Sequence, residues 1–492
     1  MLKPIENSKW DFSTAAHLLN RAGFGGTPED IERLAALTPE QAVLSLINYE
    51  QIPDTTANPD WAKPDPGRPE RIAALRNADP ATRKTMQEEQ RRIERQRSVE
   101  LKHWWLERMT NGPRPLQEKM TLFWHGHFAT SEQKVRDAYL MWKQNDLFRQ
   151  HATGNWLQLL TVVAKDPAML VWLDQAQSRK EHPNENFARE VMELFTLGEG
   201  HYTEKDVTEG ARALTGWGYD IRDEEFVDRP RFRDDGIKTF LGRTGDLTGD
   251  DVLEQIVAQP QAARFISAKL WNFFAGEPPS DALLTALADY FRRTGMNFKP
   301  LLAAMFYSEE FYSDSIVRNQ VKSPVQWLVG SSRVLQRDVP APFICYGLTR
   351  SLGQDLFAPP NVKGWDGGLS WINTANLLAR YNYAAFLVEG DVSVLRGMSM
   401  GPRNGTGGMQ QQNRLNNLHA RTVDVSKILT PEERSDKAKL LAALERRLIQ
   451  GKLRGEQEKT LRDYLDGQPT LDNDVILNTI RLMMSTPEYQ LA

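Results

Sequence analysis

Two histidines, His125 and His127, flank a single glycine in QEKMTLFWHGHFAT, residues 117–130, inside an aromatic frame of Phe123, Trp124 and Phe128. The whole chain has only eight histidines, so two this close draw attention to the segment. Imidazoles in such settings are raw material for metal sites and acid–base sites. On a continuous helix, side chains two positions apart point about 200° apart and cannot serve one metal. On an extended segment they share a face, and Gly126 can relax the backbone if the helix ends there. Three readings stay open: ligands of a divalent metal, an acid–base histidine without metal, and packed histidines that only satisfy hydrogen bonds in the core.

A second polar cluster follows in PNENFAREVMELFTLGEGHYTEKDV, residues 183–207. Asn184 or Asn186 can cap the helix that starts here. Glu185 and Arg189 are four apart, as are Arg189 and Glu193, so they can pair on one helix face. In the functional reading, Glu185 or Glu190 is a ligand or general base held by Arg189. In the structural reading, the same groups form an ion network that sets helix register. His201 precedes Thr203 and Asp206, whose spacing fits a capping box for the next helix. A neutral imidazole in that place suits ligation or base work. Trp217 and Trp365 each sit between glycines in loops, where a ring can stack on a ligand or plug the edge of a core. Lys363 beside Trp365 could contact an anion. The candidate chemistry therefore rests on His125, His127, Glu185, Arg189, Glu190 and His201. Asn184, Trp217, Lys363 and Trp365 are expected to bind substrate, and His125, His127 and Glu185 to bind any metal.

These residues need a scaffold, and the rest of the chain predicts a helical one. The length of 492 residues is ample for a sizeable core, and 40% apolar with 26% charged residues is an ordinary globular composition. A net charge of −4 offers no electrostatic case for nucleic acid or an anionic membrane surface. The lone Cys345 excludes an intrachain disulfide framework and a cysteine-rich zinc site. No apolar run approaches the roughly 18 residues of a membrane span. The first residues, MLKPIENSKWDF, lack the pattern of an export signal, so the default compartment is the cytoplasm.

Helical periodicity dominates. TPEDIERLAAL and TPEQAVLSLI each open as N-cap, proline and acidic first turn. Residues 80–111 read as a long charged helix whose apolar residues gather near its end. Helices are expected near 114–128, 136–151, 154–164, 184–197 and 203–215. Others are expected near 248–258, 260–275, 280–295, 298–311, 323–337 and 373–388, with a last group over 431–449, 454–466 and 472–486. Residues 217–242 alternate around turn formers and read as a short β-hairpin insertion. Residues 358–374 hold too much proline and glycine for regular structure. Phosphate-binding glycine loops, His-Glu-x-x-His, Gly-x-Ser-x-Gly and dinucleotide fingerprints are absent.

Several blocks together carry a resemblance. AAHLLNRAGFG, LFWHGHFATS, PNENFAREVMELFTLGEGHYTEKDV, ARALTGWGY, DDGIKTFLGRTG, FISAKLWNFFAG, VKSPVQWLVG and PPNVKGWDGGLSWINTANLLAR occur in this order. The chain resembles the bacterial family catalogued as domain of unknown function 1800. The resemblance implies a mostly helical protein and no particular activity. It also implies a partner, since members are often encoded beside a sulfatase- or phosphatase-like protein that carries a twin-arginine export signal. Family members commonly have His-Asp in the hairpin block, where this chain has Arg233-Asp234.

The expected fold is all-α with a small β-hairpin insertion near 217–242. Residues 1–390 form the main domain, 391–424 a linker or surface loop, and 425–492 a C-terminal helical subdomain packed on it. The expected function is a metal-dependent or acid–base hydrolytic enzyme acting on a polar, glycan-like substrate. The alternative is a non-enzymatic binding or escort protein working with the sulfatase-like partner, which would also allow export carried by that partner.

Overall fold

The computed structural model describes residues 2–395 and 421–492. Helices dominate it, and the only sheets among the described residues are two antiparallel hairpins. Strand β1 (Trp217–Asp220) pairs with β2 (Glu225–Asp228), and β3 (Lys238–Phe240) pairs with β4 (Arg243–Gly245). The insertion thus runs slightly past the expected boundary at 242. Most of the segment 391–424 expected as a linker lies outside the described residues.

The helices begin where local chemistry starts them. Thr27, Thr38 and Thr203 each close a capping box with the residue three positions on. Asn184, not Asn186, caps its helix by accepting from Phe187 N at 3.2 Å. The charged helix runs over Pro80–Asn111, and only its end, from Leu101 onward, is buried. Three helices longer than one turn had no sequence expectation, Arg68–Asn77, Pro167–Trp172 and Pro342–Ser351. Each is short enough that its apolar run shows little helical period. The stretch expected as one helix over 431–449 is broken into Pro431–Ser435, Lys437–Leu444 and a π-helical turn, Glu445–Ile449. The break falls at Asp436, which caps the second piece by accepting from Lys439 N.

Two apolar cores organise these helices. One gathers Trp124, Phe128, Trp156, Phe195, Leu270 and Phe298. The rings of Trp124 and Trp156 stack at 5.8 Å, and Trp124 Nε1 donates to the Ala152 carbonyl at 2.9 Å. The other gathers Trp105, Trp327, Tyr383, Leu444, Ile480 and Tyr489, so helices after 425 share a core with helices before 390. Arg447 and Gln450 reinforce this by donating to the Val334 and Gly26 carbonyls. No described helix is long and apolar enough to cross a membrane.

Candidate functional site

The helix Pro115–His127 is buried along almost its whole length and carries both histidines of the HGH segment at its end. Because it stays helical, the two imidazoles point to different sides. His125 Nε2 accepts from the backbone N–H of Phe357 at 3.0 Å. Its ring meets Trp105 edge-on at 5.1 Å and tilts against Trp365 at 5.6 Å. Burial, aided by the charge of Lys102, pushes its pKa down to about 3, so it stays neutral. His127 Nε2 lies 3.0 Å from the Phe195 carbonyl. A carbonyl only accepts, so Nε2 carries the proton and Nδ1 offers a lone pair. That lone pair faces Lys269 Nζ at 3.4 Å. Burial, and then the Lys269 charge, hold the His127 pKa well below the usual imidazole range.

The partners of His127 and Lys269 come from an unusual turn. The helix Glu185–Glu190 passes directly into a π-helical turn, Val191–Thr196. A π-turn widens the helix and takes its carbonyls out of the ordinary ladder. Side chains from other segments fill the gap. Lys269 Nζ donates to the Leu194 carbonyl at 3.0 Å, His127 to Phe195, and Gln261 Nε2 to Leu197 at 2.9 Å. The buried Thr196 hydroxyl donates to the Val191 carbonyl at 2.6 Å.

The ion pairs also differ from those the helical spacing offered. Arg189 pairs with neither Glu185 nor Glu193 but binds both carboxylate oxygens of Glu204 at 2.7 Å. Glu185 is exposed and accepts from the Thr208 hydroxyl at 3.0 Å, and Glu193 accepts from the Tyr202 hydroxyl at 2.6 Å. Glu190 is half-buried, and burial with the neighbouring Glu193 raises its pKa against the opposing charge of Lys363.

The glycine-rich loop after Val362 docks onto the HGH segment. A β-carbon at Gly364 would overlap the Gly126 carbonyl oxygen, and Gly364 sits at φ +85°. Only glycine allows that approach. The contact places half-buried Trp365 against His125 and leaves Lys363 exposed. Trp217 is a plug: it is 4% exposed and packs edge-on against Phe226 at 5.6 Å. Asn184 is likewise occupied, since its Nδ2 donates to the Leu173 carbonyl at 2.8 Å. At the departure from the family pattern, Arg233 pairs with Asp235 at 2.9 Å.

His125, His127 and Glu185 do not assemble as metal ligands. Among the described residues, no group of three or more His, Cys, Asp or Glu side chains could hold a metal ion. The helix separates the two imidazoles, each is tied to a different backbone group, and Glu185 lies on the surface.

The structure instead points to Lys269, which sequence reasoning passed over. The helix Pro260–Ala275 buries Ala263, Ile266, Leu270 and Phe274 in the core. Its other face carries Gln261, Phe265, Lys269 and Asn272, spaced three and four apart. This face lines an open pocket of about 600 Å³, together with His201, Arg264, Pro278, Pro279 and Leu284. A volume of that size suits a small organic ligand. Lys269 Nζ lies over the Phe265 ring at 4.7 Å. Burial alone lowers its pKa to about 8, with no carboxylate to hold its proton. Of the residues expected to do chemistry, His201 lines this pocket and His127 stands behind Lys269. The available signal was a lone lysine inside the otherwise apolar FISAKLWNFFAG.

A protein built this way is a mainly helical scaffold around a small-molecule-sized pocket with a desolvated amine. The chain belongs to the family described as protein of unknown function (DUF1800), whose model matches residues 17–491. Neither the curated proteins nor the solved structures provide a match.

Proposed function

We propose that the protein is an acid–base enzyme acting on a small polar substrate that carries negative charge, bound in the pocket above Lys269. One observation carries this reading: an amine with a pKa of about 8 and no acidic partner lines an open pocket of about 600 Å³. A lysine whose pKa lies near the working pH is suited to take and return protons. Perturbed titratable groups in a cleft are the usual mark of a functional site.

The lining chemistry also narrows the substrate. Among the described residues, Arg264, Lys269 and His201 are its only ionisable lining groups, and no carboxylate lines it. Most glycoside hydrolysis employs a pair of carboxylates. The pocket therefore favours an anionic substrate over a neutral glycan. Phe265, Leu284, Pro278 and Pro279 offer an apolar wall for the remainder of the molecule. In this reading His127 is a positioning residue that orients the amine, while His125 holds the loop around Phe357 and Trp365.

The test is thermal denaturation with acetate, succinate, benzoate or inorganic phosphate, for the wild type and Lys269→Met. A ligand that binds only the native state raises its melting temperature. At least one anion is expected to stabilise the wild type by a few degrees and to leave Lys269→Met unmoved. If none stabilises the wild type, or the variant responds equally, the reading fails.

A further inference from the structure

We propose that Lys269 is a covalent nucleophile that forms an imine with a small aldehyde or ketone bearing a carboxylate. This deepens the reading above and rests on the pocket being the site of chemistry.

A neutral lysine nitrogen has two N–H donors and one lone pair, disposed tetrahedrally around nitrogen together with Cε. The Leu194 carbonyl at 3.0 Å and His127 Nδ1 at 3.4 Å accept from Lys269 Nζ. Those two contacts occupy both hydrogens. The remaining tetrahedral position holds the lone pair, and the residue's open side is the pocket. Both acceptors are fixed. The Leu194 carbonyl belongs to the π-turn, and His127 cannot swing because its Nε2–H is held by the Phe195 carbonyl. His127 also cannot compete for the substrate, being buried and absent from the pocket lining.

The charge state agrees with the geometry. At neutral pH an amine at about 8 is roughly a tenth unprotonated, whereas one at 10.5 is unprotonated to about three parts in ten thousand. No carboxylate at Lys269 stabilises the ammonium, since burial is the one cause of its shift. An amine held for binding an anion would need neither the depressed basicity nor the two acceptors. The Arg264 guanidinium, which also lines the pocket, suits the carboxylate of the incoming molecule, and the His201 ring offers a further polar contact. Arg264 also pairs with Asp281 at 2.6 Å and donates to the Thr285 hydroxyl at 2.9 Å, which fixes its guanidinium.

The step balances without an oxidant or reductant. The Nζ lone pair attacks the carbonyl carbon, the C–N bond forms, and the π electrons move to oxygen. A proton passes from nitrogen to that oxygen through water in the open pocket, giving a carbinolamine. A second proton on the hydroxyl lets the C–O bond break and water leave, with the nitrogen lone pair forming C=N. Loss of the proton from nitrogen gives the imine, so one carbonyl and one amine become one imine and one water.

Two other buried lysines serve as internal controls. Lys119 is fully buried with no hydrogen-bond partner among the described residues. Lys322 has its pKa lowered to about 7, but it faces a cavity of only about 40 Å³, too small for an organic carbonyl. Low basicity alone therefore does not make a reactive lysine here; access and direction are also needed.

The experiment treats the full-length protein at neutral pH with glyoxylate or pyruvate and sodium cyanoborohydride, which reduces imines to stable amines. Adducts are then located by peptide mass spectrometry. Lys269 is expected to be labelled at least ~10-fold faster than the exposed lysines, from its larger unprotonated fraction. Lys269→Met and Lys269→Arg should both lose this fast site. Lys269→Arg keeps a cation in the pocket, so it should still be stabilised by anions in thermal denaturation. Adducts spread over surface lysines, with Lys269 no faster than the rest, overturn the proposal. If that happens while anions still stabilise the wild type, the imine fails and the anion-binding pocket stands. If neither effect occurs, both readings fail.

Discussion

At the scale of single residues, Lys119 and Lys269 show how much one buried amine differs from another. Each is desolvated and each has a lowered pKa. Lys269 has two acceptors and an opening. Lys119 has neither; its Nζ lies over the rings of Phe24 at 5.1 Å and Phe273 at 5.7 Å. Faces of aromatic rings recover only part of the lost hydration. The folded pKa of Lys119 lies below its unfolded value, so the unfolded chain binds that proton more tightly. Stability from this group therefore rises as pH climbs toward 10.5 and is lowest at neutral and acid pH. Lys119→Met keeps the bulk and removes the polar head. It should raise unfolding free energy in urea by about 1–3 kcal/mol near pH 7, with the gain shrinking near pH 10. A variant less stable than wild type at pH 7 would show that the amine has a partner the packing does not reveal.

At the scale of elements, the site depends on two departures from regular structure. The π-turn Val191–Thr196 presents the carbonyls that hold His127 and Lys269. The left-handed Gly364 lets the Trp365 loop press its backbone against Gly126. Gly364→Ala adds a β-carbon both at positive φ and into a backbone oxygen that cannot give way. The expected cost is about 2–4 kcal/mol. Gly368 supplies the comparison, since it also has positive φ but no atom within 4 Å of an added β-carbon. Gly368→Ala should cost only about 1 kcal/mol, the strain of the backbone alone. Chemical denaturation of both variants measures the difference. Equal losses would mean that the Gly126 contact does not constrain the loop.

At the scale of the whole molecule, helices from distant parts of the chain bury acids that a shorter protein would leave in water. Asp166 is fully buried; it accepts from Gln144 Nε2 at 2.8 Å and caps the helix Pro167–Trp172 by accepting from Met169 N at 2.9 Å. Burial outweighs those bonds and raises its pKa to about 7. Glu224, buried between Arg68 and Asp137, is also raised to about 7, by burial and then by the Asp137 charge. For both acids the folded state holds the proton more tightly than the unfolded chain does. Their contribution is full below about pH 4 and is lost as pH rises through 7. Between pH 4 and 7 Asp166 alone should withdraw about 4 kcal/mol, less any relaxation of the site. Asp166→Asn keeps an oxygen for the cap and should flatten that slope. Unfolding free energies across this range decide it, and an unchanged slope would place the titration elsewhere.

Much of this architecture was legible locally. The capping boxes at Thr27, Thr38 and Thr203, the prolines that open helices, and the hairpins near 217–242 follow from contacts within a few residues. Such contacts are written in adjacent side chains and need no knowledge of the fold. The ordered blocks likewise sufficed to assign the family. What the tertiary structure alone decided was the chemistry of the polar residues. His127 and Lys269 are 142 residues apart, and Lys269 and Leu194 are 75 apart. Arg189 pairs with Glu204 on the following helix, where helical spacing had offered Glu185 and Glu193. Burial is a sum over neighbours from many elements, and it is burial that moves an amine from 10.5 to about 8 while leaving its residue type unchanged. The sequence therefore determined which ionisable groups exist and which helices carry them. Only the packing determined which of those groups lost water, which found partners, and which one faces an open pocket.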